Sequence, residues 1–360
     1  MKRMKVGVIG ATGMVGQNYL RLLKNHPWFD VKYVAASPRS AGKRYEEAVA
    51  GRWLMAEPIP EQIRGLVVED ANAVGSAKGK CDLVFSAVEL EKDAIRKLEE
   101  AYAAAGIPVV SNNSAHRSTP DVPMIIPEVN PGHIELIDTQ REKRGWGKGL
   151  IAVKPNCSIQ SYVTPMFALI EAGYKIEAVI VSTMQAVSGA GYPGPASMKM
   201  IDNVVPYIGG EEEKSEQEPL RILGKLKNGR IILEKTIKIA AHCNRVAVID
   251  GHMACVSLKF KGAKPSLDEV KKLWINFAGE PQKLNLPTAP KEAIIYREEP
   301  DRPQPRMDRD AWGAMAVSVG RLRECPVFDL RFVGLSHNTV RGAAGGAILS
   351  AELLKAKGYL

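Results

Sequence analysis

Lys5-Val6-Gly7-Val8-Ile9-Gly10-Ala11-Thr12-Gly13-Met14-Val15-Gly16 runs from an apolar strand through a glycine-rich loop into a helical pattern. Lys5 to Ile9 reads as a buried strand, and Met14 to Asn25 as a helix whose Val15, Tyr19, Leu22 and Leu23 share one face. Between them Gly10, Gly13 and Gly16 form a GxxGxxG. Such glycines let the backbone approach a pyrophosphate, which the free amides and positive end of the following helix then hold. The motif points to nucleotide binding, with Gly10, Thr12, Gly13, Met14, Val15 and Gly16 as contact residues. A second strand, Val31 to Ala36, leads into Ser37-Pro38-Arg39-Ser40 rather than into the acidic residue that an NAD enzyme places on the ribose. The hydroxyls of Ser37 and Ser40 and the cation of Arg39 suit a 2′-phosphate, so NADP is expected over NAD.

Further strands at Asp82 to Ser86 and Ile107 to Ser111 flank an amphipathic helix, Glu91 to Ala105, that stops at Gly106. Strand and helix alternate as in a parallel α/β sheet, and Ser86 and Ala87 join the candidate cofactor contacts. After Lys154 the pattern changes to longer strands at Ala178 to Gln185, Arg245 to Ile249 and His252 to Lys259, with a Pro/Gly-rich loop at Ser188 to Gly194. Asp250-Gly251 reads as a hairpin turn between the last two. Helices at Leu220 to Lys227 and Ser266 to Ala278 and strands at Met315 to Arg321 and Phe328 to Leu335 complete an α+β unit. Arg297 to Asp310 reads as a surface excursion, and the helix Ala343 to Lys357 is expected to pack back on the first unit. The expected division is a Rossmann-type α/β domain, 1–154 with 338–360, and a second domain, 155–337.

At 360 residues the chain suits two domains, and its 45% hydrophobic and 25% charged residues are those of a folded globular protein without a membrane span. The charge balance is 49 − 40 = +9, but the basic residues are scattered and the longest like-charge run is acidic, Glu211 to Glu213, which argues against nucleic acid. Five widely spaced cysteines without a CxxC pair exclude a disulfide framework and a zinc site as readings. With no targeting signal read at the start, a cytoplasmic compartment is expected.

Pro155-Asn156-Cys157-Ser158 lies between the apolar run Leu150 to Val153 and a helical pattern, Ile159 to Ile170. That places Cys157 at a helix N-terminus, where a thiol's pKa is expected to fall. A nucleophilic thiol needs a proton acceptor, and His252 is the best placed of the six histidines, because the Asp250-Gly251 turn would bring it beside Arg245.

These segments, with Ser111 to Arg117 (SNNSAHR), Gln185 to Gly194 (QAVSGAGYPG), Glu211 to Lys214 and His337 to Gly346 (HNTVRGAAGG), resemble the aspartate-semialdehyde dehydrogenases of archaea and fungi over essentially the whole chain. The resemblance implies a second domain of the glyceraldehyde-3-phosphate dehydrogenase-like kind, which catalyses and dimerises, in a homodimer or homotetramer. It implies NADPH-dependent reductive dephosphorylation of L-aspartyl-4-phosphate to aspartate 4-semialdehyde through a thioester on Cys157, with His252 moving protons. Gln185 would orient the acyl group, and Asn156 would support the thiolate and oxyanion. Arg245 would clamp the α-carboxylate, Glu211 the ammonium, and Arg117 and Lys214 the phosphate, the choice of Glu211 over Glu212 or Glu213 staying open. Ser188, Gly189 and Asn338 would meet the cofactor. Malonyl-CoA reductase, of the same branch, is the alternative enzyme. N-acetylglutamyl-phosphate reductase is a more distant one, and a non-catalytic NADP sensor is a reading of a different class.

Overall fold

The computed structural model describes residues 3–360. Its first sheet holds β1 (Met4–Ile9), β2 (Phe29–Ala36), β3 (Val68–Asp70), β4 (Leu83–Ser86), β5 (Val109–Ser111) and β6 (Ile151–Val153). All pair in parallel in the order β3-β2-β1-β4-β5-β6. Val6, Val8 and Ile9 of β1 are fully buried, as expected of a central strand covered on both faces. The order reverses between β1 and β4, and at that switch point the first loop leaves the sheet. Gly10 is required there: its φ is +82°, and a Cβ would stand 2.3 Å from the Ala87 carbonyl oxygen. The helix that follows is shorter than expected, Met14–Leu22, and its buried face carries Tyr19 and Leu20, with Leu23 buried just beyond, while Val15 and Leu22 are only half-buried.

The remaining strands are β7 (Ile176–Gln185), β8 (Lys225–Lys227), β9 (Arg230–Ile232), β10 (Lys238–Arg245), β11 (His252–Phe260), β12 (Ile294–Arg297), β13 (Val317–Glu324) and β14 (Leu330–Ser336). Apart from the small β8-β9 pair they form a mixed sheet ordered β10-β7-β11-β14-β13-β12. Three expectations are corrected here. The segment after Arg245 is not a strand, because β10 ends at Arg245. Asp250-Gly251 does not close a hairpin, because β10 and β11 lie on opposite sides of β7, the first parallel and the second antiparallel to it. The expected helix at Leu220 to Lys227 is instead the end of the helix Glu211–Ile222, followed by β8. The excursion after Arg297 is held down by buried Asp308, which pairs with Arg297 at 2.9 Å and with Arg302.

The sheets share a buried apolar cluster that runs from Ile9 and Val109 through Ile159 and Tyr162 to Trp274 and Phe332. The last helix, Gly345–Ala356, packs back on the first sheet, and its buried Glu352 accepts from His26 at 2.7 Å. Ahead of it, buried Arg341 binds Glu128 with both Nη atoms, one at 2.8 Å, and reaches Gln160 at 3.3 Å. No helix among the described residues is long and apolar enough to cross a membrane.

Removing one member of a buried pair strands the other charge, a cost of about 3–5 kcal/mol. Glu128→Ala is therefore expected to lose stability of that order in urea unfolding, and Glu128→Ala with Arg341→Met less than the single change. Equal losses would mean that the pair contributes only its packing.

Candidate active site

β7, β10 and β11 deliver three side chains to one sheet end. Arg245 is opposite Gln185 across the parallel pair, and Met253 is opposite Met184 across the antiparallel one, so His252 falls beside Gln185. β6 brings up the fourth: past Val153 the chain turns through Lys154 and Pro155 to Asn156 and Cys157. Cys157 Sγ lies 3.4 Å from His252 Nε2.

Cys157 opens a short 3-10 turn, Ser158–Ser161, and the α-helix begins only at Val163, so the expected helix N-terminus is not at the thiol. The expected fall in its pKa is also reversed: burial raises it and the Glu211 charge adds to this, against the opposing cations Lys154, Arg117 and Arg245. His252 is fully buried and its Nδ1 accepts the Ala186 backbone N–H at 3.0 Å. A backbone amide only donates, so the neutral imidazole carries its hydrogen on Nε2 and aims it at the sulfur. Burial, helped by the charges of Arg245, His337 and Lys154, holds this imidazole well below its ordinary pKa. His252 thus meets the sulfur as a donor, not as the acceptor expected from the sequence.

Asn156 is fixed on all sides. Its backbone N–H donates to Glu218 at 2.6 Å, its Oδ1 accepts from Ser158 N at 2.7 Å, and its Nδ2 donates to both Glu211 oxygens at 2.9 Å. Glu211 is the member of the acidic run that faces the site: Glu212 accepts from the Cys243 backbone and Glu213 is exposed. Burial raises the Glu211 carboxyl, but Lys214 at 2.8 Å, Asn156 and Gln185 outweigh it and hold it below the usual range. Arg117 donates to the carbonyls of Lys154 and Asn112 and to Glu218 at 3.0 Å. Each of its Nη atoms keeps a further N–H for an anion. Buried Arg245 donates to the Ala186 carbonyl at 2.7 Å and has most of its N–H groups uncommitted. Glu218 and Lys154 escaped the sequence reading; Lys154 adjoins the cysteine motif, whereas nothing local marks Glu218.

A cleft of about 450 Å³ opens at the first sheet's switch point, lined by Gly10, Thr12, Gly13, Met14, Ser37, Arg39, Ser40 and Ala87. Six expected contacts lie outside it: Ser188, Gly189 and Asn338, which follow strands of the second sheet, and three on the side of the first. Val15 is half-buried beside it, Gly16 packs the helix on the loop with no room for a Cβ, and buried Ser86 accepts from Asn113 at 3.1 Å. Gln17, Lys43 and Asn72 also line it, and Tyr192 reaches it from the second half. Lys43 follows Ser40 by three positions, a second cation in a loop already marked for phosphate. Ser188 and Asn338 bond each other at 2.8 Å near the thiol end, and Asn338 Oδ1 accepts the Gly251 N–H at 2.8 Å.

A glycine-lined cleft at the switch point of a parallel sheet, in a chain that also sets Cys157 beside His252, is the layout of a nucleotide-dependent oxidoreductase. The model for a semialdehyde dehydrogenase NAD binding domain matches residues 5–137, and that for a semialdehyde dehydrogenase dimerisation domain matches 166–341. Aspartate-semialdehyde dehydrogenases of Aspergillus fumigatus and Methanothermobacter thermautotrophicus are 47% and 48% identical to it, covering 99% and 97% of this chain and 98% of each relative. The crystal structure of aspartate semialdehyde dehydrogenase with NADP from Candida albicans covers 100% of both chains, with a TM-score of 0.89 and 41% identity. The chain belongs to the aspartate-semialdehyde dehydrogenase family.

A Cβ on Gly189 would stand 2.7 Å from Arg245 Nη1 and 3.0 Å from His252 Cε1. Gly189→Ala must displace one of them, and such a misplacement costs on the order of a hundredfold in rate. We expect kcat/KM to fall by that order with the denaturation midpoint little changed; an unchanged kcat/KM would show that neither group needs its place.

Proposed function

We propose that this protein makes L-aspartate 4-semialdehyde from L-aspartyl-4-phosphate and NADPH, releasing phosphate, through a thioester on Cys157. The observation that carries this reading is the 3.4 Å Cys157–His252 contact at a sheet end that also holds Gln185, Arg245 and the Asn156–Glu211 pair. The Cys157 sulfur attacks the acyl phosphate, forming the S–C bond as the C–O bond to phosphate breaks. When bound, NADPH supplies the hydride that reduces the thioester. His252 Nε2–H faces the sulfur and stabilises its negative charge when attack begins and again when the aldehyde leaves. Gln185 and Asn156 orient the acyl oxygen.

Arg245 takes the α-carboxylate as a two-pronged donor. Glu211, kept anionic by Lys214, takes the ammonium, a demand that a thioester substrate without an amino group does not make. Arg117 and Lys214 receive the phosphate. The cofactor residues fit NADP: the glycine turn accepts a close pyrophosphate, and Arg39, Lys43 and the hydroxyls of Ser37 and Ser40 suit the 2′-phosphate. We assign 1–154 with 338–360 to the cofactor domain and 155–337 to the catalytic and dimerising one, in a cytoplasmic enzyme that self-associates as a dimer or tetramer. Exposed Met198, Ile201 and Tyr207, beside the active-site loop, support self-association.

The test is NADP⁺ reduction with aspartate semialdehyde and phosphate, beside NADPH oxidation with malonyl-CoA. Phosphate-dependent turnover in the first alone supports the reading; turnover with malonyl-CoA alone rejects the substrate. Cys157→Ala is expected to abolish turnover and keep NADPH binding, and retained turnover would remove the thioester. Arg39→Ala is expected to weaken NADPH by about tenfold or more with little effect on NADH, as the loss of one charge-assisted contact; equal losses would place the 2′-phosphate elsewhere.

A further inference from the structure

We propose that Glu218 is a positioning residue that ties the guanidinium of Arg117 to the turn carrying Cys157, so that the phosphate pocket and the nucleophile keep one fixed spacing. This rests on the reading of Arg117 as a phosphate residue and of Cys157 as the nucleophile. Such a tie has a chemical purpose: the sulfur attacks the carbon that the phosphate leaves, so both must be held around one atom.

The two carboxylate oxygens of Glu218 are divided between the two groups. Oε1 accepts from Arg117 Nη1 at 3.0 Å, and Oε2 accepts from the Asn156 backbone N–H at 2.6 Å. Both partners are donors and Glu218 is buried, so only a carboxylate satisfies them; a carboxamide would turn its own NH₂ group toward one of the two. A counter-charge for Arg117 alone would not need the second bond. Arg117 in turn donates from Nε to the Lys154 carbonyl at 3.0 Å and from Nη2 to the Asn112 carbonyl at 3.3 Å. Its bonds therefore join the loop after β5 to the segment after β6, and Glu218 closes the ring at Asn156, the residue before the thiol.

The helix Glu211–Ile222 holds Glu218 in place for this task. Positions 211, 215, 218 and 222 are buried at helical spacing on one side of it. Ahead of Glu218, Glu211 accepts from Asn156 Nδ2 at 2.9 Å and the Ser215 carbonyl accepts from the Tyr162 hydroxyl at 2.9 Å. Beyond it, Arg221 Nη2 donates to the carbonyls of Thr119 at 2.9 Å and Val122 at 3.1 Å. The helix is thus fastened to the Cys157 turn on one side of Glu218 and to the segment after Arg117 on the other. Glu218 reaches the reaction only through Arg117 and Asn156.

The test is NADP⁺ reduction with aspartate semialdehyde and varied phosphate, in the wild type, Glu218→Gln, Glu218→Asp, Arg117→Ala and the double variant Arg117→Ala with Glu218→Gln. Binding of NADP⁺ serves as the check that each is folded. Glu218→Gln is expected to raise the KM for phosphate about tenfold, the loss of one charge-assisted bond, and to lower kcat, with the KM for the semialdehyde and NADP⁺ affinity unchanged. Glu218→Asp keeps the charge but is one methylene too short to span both partners, so it should raise the same KM to a lesser degree; it carries the comparison if Glu218→Gln does not fold. In the Arg117→Ala background the glutamine should add little to the KM for phosphate. An unchanged KM for phosphate in the folded Glu218 variants would overturn the proposal, as would a raised KM with unchanged kcat, or full additivity with Arg117→Ala. An Arg117→Ala enzyme with an unchanged KM for phosphate would instead overturn the reading of Arg117 itself.

Discussion

The parallel pairing of β10 with β7 is the constraint on which the site depends. It sets Arg245 across from Gln185 in register. The antiparallel pairing of β11 on the other side of β7 then places His252 at the same end. A slip of one residue in either ladder would turn the side chain to the opposite face of the sheet. The geometry of the site is therefore stored in backbone hydrogen bonds, and the loops at this end need only close over groups that the strands have already aimed.

The second constraint is electrostatic. The pocket gathers Glu211, Glu218, Lys214, Arg117, Arg245 and Lys154 around a half-buried thiol, where an isolated charge is expensive. Fixed pairs meet most of that cost: Glu218 spans Arg117 and the Asn156 amide, and Glu211 spans Lys214 and the Asn156 side chain. Asn156 is thus gripped by two carboxylates, which hold the residue next to Cys157 in place.

The first sheet was legible because its evidence is local. An apolar strand, a glycine turn and a helix within a few residues announce one another, and Arg39 announces its chemistry from the loop after the second strand. Cys157 and His252 were likewise marked by their neighbours. The route by which Arg245 and His252 meet was not, since a short polar stretch around Asp250-Gly251 reads as a turn whether its flanking strands pair with each other or each with a third. The protonation of His252 was equally hidden, because it depends on the Ala186 amide, far away in sequence. Glu218 sits in a charged helix whose pattern is that of a solvated surface until the fold turns it inward. Resemblance pointed to Glu211 but left Glu212 and Glu213 open, and the fold turns Glu211 to the site.

The turn that carries Gly342 leans on Cys157, the start of the last helix at Gly346 leans on Lys154, and Arg341 between them is pinned to Glu128. During synthesis this turn leaves the ribosome long after the cysteine does. Until then Cys157 lacks one wall of its pocket, and a nascent chain holds its thiol open to oxidants and to other thiols. Maturation of this protein is thus also the partial shielding of the Cys157 thiol, and the speed with which the late segment docks governs how long that thiol stays fully open.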